Sequence, residues 1–83
     1  MRQRTYSVRA TWDDVAKVWV AVSDDVPGLV AEAPKIELLI KKLEVLVPEL
    51  LEANGVLPKR PRRKIEIPLK LLASYQGQIR IPA

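Results

Sequence analysis

The chain has 83 residues with no cysteine and no histidine, so disulfides are excluded, as are the side chains most used for catalysis near neutral pH and for tight transition-metal binding. One domain of this size buries only about 60–65% of its unfolded surface, so self-association would help it. The formal net charge is +4, no apolar run approaches the ~18–20 residues needed to span a bilayer, and Met1-Arg2-Gln3-Arg4 lacks the apolar core of a signal peptide, so a cytoplasmic protein without cofactor is expected.

Tyr6, Val8, Ala10 and Trp12 alternate with Ser7, Arg9 and Thr11, the period-two pattern of a strand with one buried face. Val18, Val20 and Val22 repeat it. A five-residue hairpin loop over 13–17 sets Trp12 opposite Val18, Ala10 opposite Val20 and Val8 opposite Val22, all on one face. Ser7, Arg9, Thr11, Trp19 and Ala21 then share the other face, with Arg9 diagonal to Trp19 and able to lie over its ring. Pro27 and Gly28, after Asp24-Asp25-Val26, end the second strand by removing a ladder donor and allowing a positive φ. Leu29 to Ala33 is a short third strand.

Pro34 opens a helical run in which Ile36, Leu39, Ile40, Leu43, Leu46, Val47, Leu50 and Leu51 fall in a stripe about 140° wide. That stripe must cover the apolar face of the sheet. Asn54-Gly55 closes the helix. Pro48, inside it and on the solvent side, predicts a kink or a break. Leu38 and Val45 project from the back of the helix, either as scattered exposed apolar residues or as a partner contact.

Charge is unevenly spread: residues 1–57 hold seven Lys/Arg and nine Asp/Glu, and residues 58–83 hold seven and one. Lys59, Arg60, Arg62, Arg63 and Lys64 surround Pro61 in an extended segment with two readings. One is a solvated linker. The other is weak, sequence-independent nucleic-acid contact, because no aromatic residue lies among these cations for bases to stack on. Five phosphate contacts would give a log-log salt slope of about −4.5 on duplex DNA. Ile65, Ile67, Leu69 and Leu71 then alternate with Glu66, Pro68 and Lys70 as a fourth strand, placed at an edge by Pro68. Residues 75–81 form either a fifth strand or a tail that pairs with another subunit. Residues 1–83 thus read as a single domain, with a core at 4–57, a basic linker at 58–64 and a C-terminal strand and tail at 65–83.

Several of these segments resemble the HicB-like antitoxin family, in particular its small stand-alone relatives of uncharacterised function. They are Tyr6, Trp12-Asp13, Val18 to Ala21, Ser23 to Val30 with the turn Asp25-x-Pro27-Gly28, Glu32-Ala33 and Val47 to Gly55. The resemblance covers about residues 4–72. It implies an α+β, β-β-β-α-β partial ribonuclease H-like fold: a three-stranded antiparallel meander, one helix on one face, and a fourth edge strand parallel to the first. It also implies neutralisation of a small messenger-RNA-cleaving toxin by protein-protein contact. The chain departs from the family in two places. No helix-turn-helix pattern follows the domain, and Lys35 stands where a small hydroxyl residue usually caps the helix, which weakens the helix start by about 1 kcal/mol.

A ribonuclease H-like fold prompts a search for paired metal-binding carboxylates. Asp13 and Asp14 sit in the hairpin, while Asp24 and Asp25 lie at the far end of the second strand, about 20 Å away at ~3.3 Å per residue. They cannot share a metal, so the expectation is a non-catalytic interaction module with an orphan dimeric scaffold as the alternative. Its candidate contact residues are Arg9 and Trp19 on the open sheet face, Leu38 and Val45 on the helix, and Ile65, Ile67 and Leu69 on the edge strand. An uncovered edge predicts a homodimer or higher homo-oligomer.

Overall fold

The computed structural model describes residues 4–56 and 67–82. Three strands, β1 (Tyr6–Asp13), β2 (Val18–Val22) and β3 (Val30–Ala33), precede one helix, α1 (Ile36–Ala53), and β4 (Leu69–Ser74) follows it. They build a four-stranded mixed open sheet of order β3-β2-β1-β4. The first three strands are antiparallel neighbours, and β4 runs parallel to β1 at the edge. This is the small α+β arrangement expected of the sequence.

The hairpin corrects the expected register. Asp13 pairs with Val18, so the loop has four residues, Asp14 to Lys17. Asp13 Oδ1 accepts from the backbone N–H groups of Val15 (3.0 Å) and Ala16 (3.1 Å). Lys17 closes the turn, donating its N–H to Asp13 O at 2.8 Å from a left-handed conformation with φ 60°. One residue fewer in the loop turns the whole second strand over, because side chains alternate with a period of two. Trp19 therefore lies opposite Trp12, and Ala21 opposite Ala10. On the far side, β3 sets Ala33 beside Trp19 and Ala31 beside Ala21.

Trp19 and Ala21 thus belong to the helix face, and Val18, Val20 and Val22 to the opposite one. Arg9 pairs with Val22, so the expected stacking of Arg9 on Trp19 does not form. Valines alone could not reveal this, because β2 is apolar on both faces. The alanines explain which face wins. Ala10, Ala21, Ala31 and Ala33 are all buried and make a floor low enough for the bulky side chains of α1 to settle on it.

Leu39, Leu43, Val47 and Leu51 form the buried ridge of α1, packed with Tyr6, Val8, Val26 and Leu29. Each fully buried leucine contributes about 1.5–3 kcal/mol through removal from water. Ile40, expected in the stripe, is 38% exposed at its margin. Lys35 occupies the N-cap with no side-chain cap hydrogen bond. At the other end Val56 N–H reaches Leu51 O (2.8 Å) and Gly55 N–H reaches Glu52 O (3.1 Å), with Gly55 at φ 76°. These paired bonds are a Schellman closure.

The helix continues as one element through Pro48, and Pro48 is half-buried beside Ile67 and Leu69 instead of facing solvent. The fourth strand begins one residue after Pro68, later than the alternation implied. Its interior then needs no proline, which lacks a ladder donor. Residues 75–82 carry no regular secondary structure, so of the two expectations for the tail, the fifth strand is not formed among the described residues.

The register makes a direct prediction. Ala21→Lys, which forces a charge under the helix, should cost about 3 kcal/mol or more by urea denaturation, on the order of other buried unpaired charges. Val20→Lys on the uncovered face should cost less than about 1 kcal/mol. The register expected from the valines would reverse that order.

Candidate interaction surfaces

The turn Asp25-Val26-Pro27-Gly28 acts as a clamp. Leu29 N–H donates to Val26 O at 3.1 Å, and Gly28 sits at φ 84°, a geometry matching a type II turn with proline and glycine at its centre. Ser23 Oγ donates to Ser7 O (2.6 Å) and accepts from the N–H groups of Asp25 (3.0 Å) and Val26 (3.1 Å). Asp25 Oδ2 accepts from Ser7 N–H at 2.7 Å, and its other oxygen accepts from Arg4 at 3.0 Å. Asn54 Nδ2 donates to Pro27 O at 3.2 Å. One short segment thus joins the start of β1, the end of β2 and the end of α1, and drives Val26 fully into the core.

The hydrogen bond from Ser7 N–H, with help from the Arg4 guanidinium, holds the Asp25 carboxyl below its ordinary pKa of 3.8. Lys17 and the indole N–H of Trp12 do the same for Asp14. Asp13 holds the hairpin turn, and Asp24 pairs with Arg9 at 3.5 Å. The two aspartate pairs lie at opposite ends of β2. Among the described residues, no group of three or more Asp or Glu is placed to hold a metal ion.

At the hairpin pole Trp12, Trp19 and Tyr75 form an aromatic cluster. Their ring centroids are 5.4 Å apart for the two tryptophans, and 6.3 and 6.5 Å from Tyr75 to Trp12 and Trp19. These are distances of direct ring-on-ring packing, and open clefts flank the cluster on the side of Pro34 to Glu37 and on the side of Gln76 to Gln78. The sequence shows Tyr75 only as part of the tail. Its role is to anchor the chain after β4 beneath the sheet's end.

The larger uncovered surface is the far face of the sheet. Residues directly opposite in register share a face, which places Val18, Val20 and Val22 with Val30, Leu72 and Arg9. Val30 is 71% exposed and Leu72 50%. Arg9, Glu32 and Lys70 surround these apolar side chains with charge of both signs. Of the sequence candidates, Arg9 belongs here and Trp19 does not. The valines escape a sequence reading as surface residues because a loop one residue longer would bury them, and the alanines of β3 are the signal for the true register.

Leu38 and Val45 lie on the other side of the molecule, both exposed, in a shallow apolar groove with Ala33, Pro34, Lys41, Lys42 and Leu46. Ile67 and Leu69 line a third surface, a groove between β4 and the helix residues Leu43, Glu44, Val47 and Pro48. Ile65 and the nucleic-acid candidates Lys59, Arg60, Arg62, Arg63 and Lys64 lie outside the described residues. Among the described residues, no helix is long and apolar enough to cross a membrane.

One helix on one face of an open mixed sheet, a clamped turn at one pole and apolar side chains on the far face define a small α+β domain. The chain belongs to the family DUF1902, a domain of unknown function, whose model matches residues 5–83. It is similar to the hypothetical protein TTHA1013 from the extremely thermophilic bacterium Thermus thermophilus, known from a crystal structure. The two are 47% identical, with a TM-score of 0.66 over 94% of this chain and 100% of the other. No curated protein matches the chain significantly.

Two measurements check the clamp. A carboxyl with a lowered folded pKa stabilises fully above its unfolded value and loses that contribution as pH falls through the folded one. Stability should therefore drop as pH falls below Asp25's ordinary 3.8, and Asp25→Asn should flatten that limb of the stability profile. Gly28→Ala should cost about 1–2 kcal/mol in thermal or urea unfolding, from the left-handed backbone alone. The added Cβ meets only Leu50 Cδ2 at 3.6 Å, an ordinary contact.

Proposed function

We propose that this chain is a non-catalytic protein-interaction module of the HicB-like kind, a cytoplasmic, self-associating antitoxin with a partial ribonuclease H-like fold. In this reading it binds and neutralises a small messenger-RNA-cleaving toxin. The observation that carries the reading is the uncovered sheet face, where Val18, Val20, Val22, Val30 and Leu72 stand side by side with Arg9, Glu32 and Lys70 around them. Apolar side chains grouped inside a charged rim are the usual anatomy of a protein contact. The strand order with β4 parallel to β1 and the Asp25-Val26-Pro27-Gly28 turn agree with the family resemblance.

The non-catalytic part of the reading is supported by how the aspartates are used. Asp13, Asp14, Asp24 and Asp25 each hold a turn or pair with a nearby cation, and the two pairs stand at opposite ends of β2. A nuclease using two metals needs its carboxylates around ions about 3.5–4 Å apart. The residues here are spent on the fold.

The test uses the small basic, double-stranded-RNA-binding-like protein with one histidine that this reading expects from the neighbouring reading frame. The two should purify as a complex, and the partner's cleavage of messenger RNA should stop when this chain is present. Val20→Asp with Val22→Asp should weaken the complex roughly 30-fold or more, as central interface residues do, and leave the melting temperature within a few degrees. Cleavage that continues in the presence of a large excess of this chain would reject the antitoxin reading.

A further inference from the structure

Beyond the Tyr75 anchor, the C-terminal arm runs to Pro82 exposed and without regular secondary structure. Ile79 is 90% exposed and Ile81 83%, although they alternate with Gln78 and Arg80 as an apolar strand face would. The arm is no appendage, because the family match extends to residue 83. Beside it lies an equally incomplete strand. β4 pairs with β1 on one side, and among the described residues nothing pairs with its other side. The opposite edge of the sheet is better protected: β3 has only four residues, and Lys42 Nζ donates to Glu32 O, putting a lysine across that edge.

We propose that a second copy of this chain covers β4, by an exchange in which the arm of each copy adds as an antiparallel strand to β4 of the other. In this pairing Ile79 lies opposite Leu69 and Ile81 opposite Ile67, with the two-fold axis passing beside Ser74.

Backbone direction supports the pairing. Tyr6 N–H donates to Pro68 O at 3.0 Å, so the even-numbered residues here aim their polar backbone groups at β1, and Leu69, Leu71 and Ala73 aim theirs outward. In the proposed register those three meet Ile79, Gly77 and Tyr75 and exchange hydrogen bonds with them. Directly opposed residues share a face, so Ile79 and Ile81 fall on the helix side. There α1 approaches β2 and β3 most closely, and between it and β4 the groove of Leu43, Val47, Pro48, Ile67 and Leu69 stays open to receive them.

Charge selects the register. A shift that set Ile79 opposite Leu71 would put Arg80 directly against Lys70, and like charges in opposed positions repel. The proposed register sets Gln78 against Lys70 and Arg80 against Pro68. It also leaves the valine face of β2 free, so the dimer and a bound partner occupy different surfaces. The inference rests on the self-association in the function proposed above and not on its toxin.

Light scattering on the full chain at tens of micromolar should give twice the 9.4 kDa chain mass. Ile79→Asp with Ile81→Asp should give the mass of one chain with an unchanged far-ultraviolet circular dichroism spectrum, while Leu38→Glu with Val45→Glu should remain dimeric. The chain has no cysteine, so Lys70→Cys with Gln78→Cys offers a clean second arm: these positions are opposed at about 4.5 Å between Cα atoms, and oxidation should yield a dimer held by interchain disulfides. A wild-type monomer would overturn self-association as a whole. A wild-type dimer that survives the Ile79 and Ile81 changes, or a K70C/Q78C double variant that forms no interchain disulfide on oxidation, would overturn the arm exchange alone. Loss of toxin binding without loss of the dimer mass would reject only the toxin reading.

Discussion

The four-residue loop between β1 and β2 is the constraint on which the rest of the structure depends. By pairing Asp13 with Val18, it sends Trp19 and Ala21 to the helix side and Val18, Val20 and Val22 to the other. A loop of either parity would give a hairpin, but only this one gives the helix an alanine floor. With Ala10, Ala21, Ala31 and Ala33 beneath it, α1 can bury Leu39, Leu43, Val47 and Leu51 on a flat surface. The valines displaced by that choice stand on the face of the sheet away from the helix.

The second constraint acts at the opposite pole. The side-chain oxygens of Ser23 and Asp25 bind backbone groups of Ser7, Asp25 and Val26, and Asn54 ties the same loop to the end of the helix. The bonds of Ser23 and Asp25 to Ser7 and of Asn54 to Pro27 span 16, 18 and 27 residues, which a local turn could not. They hold the first strand, the second strand and the helix C-terminus in one relative position, so the loop's proline and glycine serve tertiary structure as much as the reversal of the chain.

A domain of this size cannot cover all of its sheet. One helix of 18 residues covers the middle of the sheet, with Leu71 of β4 only half-buried at its margin, and leaves the outer edge of β4 and the far face open. In the reading proposed above the two surfaces divide the labour: the valine face would meet a partner and the β4 edge a second copy. Neither requires a reactive side chain. Under the function proposed above, recognition rests on exposed apolar groups and the charges around them.

Much of this was already written in the chain. The period-two alternation of Tyr6 to Trp12, the leucine spacing of the helix, the uncapped Lys35, the Gly55 terminus and the Pro27-Gly28 turn each depend on a few neighbouring residues, and each appears where local chemistry puts it. Pro48 shows the limit of that logic, since its lost hydrogen bond is tolerated within a helix whose other residues are held by the sheet. What sequence alone could not fix was the face of β2, because its two sides are equally apolar and a loop of four or five residues could have joined it to β1. That choice was made by the fit of large helix side chains on small strand side chains. Packing of that kind exists only between segments distant in sequence, and so only the folded chain decides on which side of the sheet the valines and Trp19 lie.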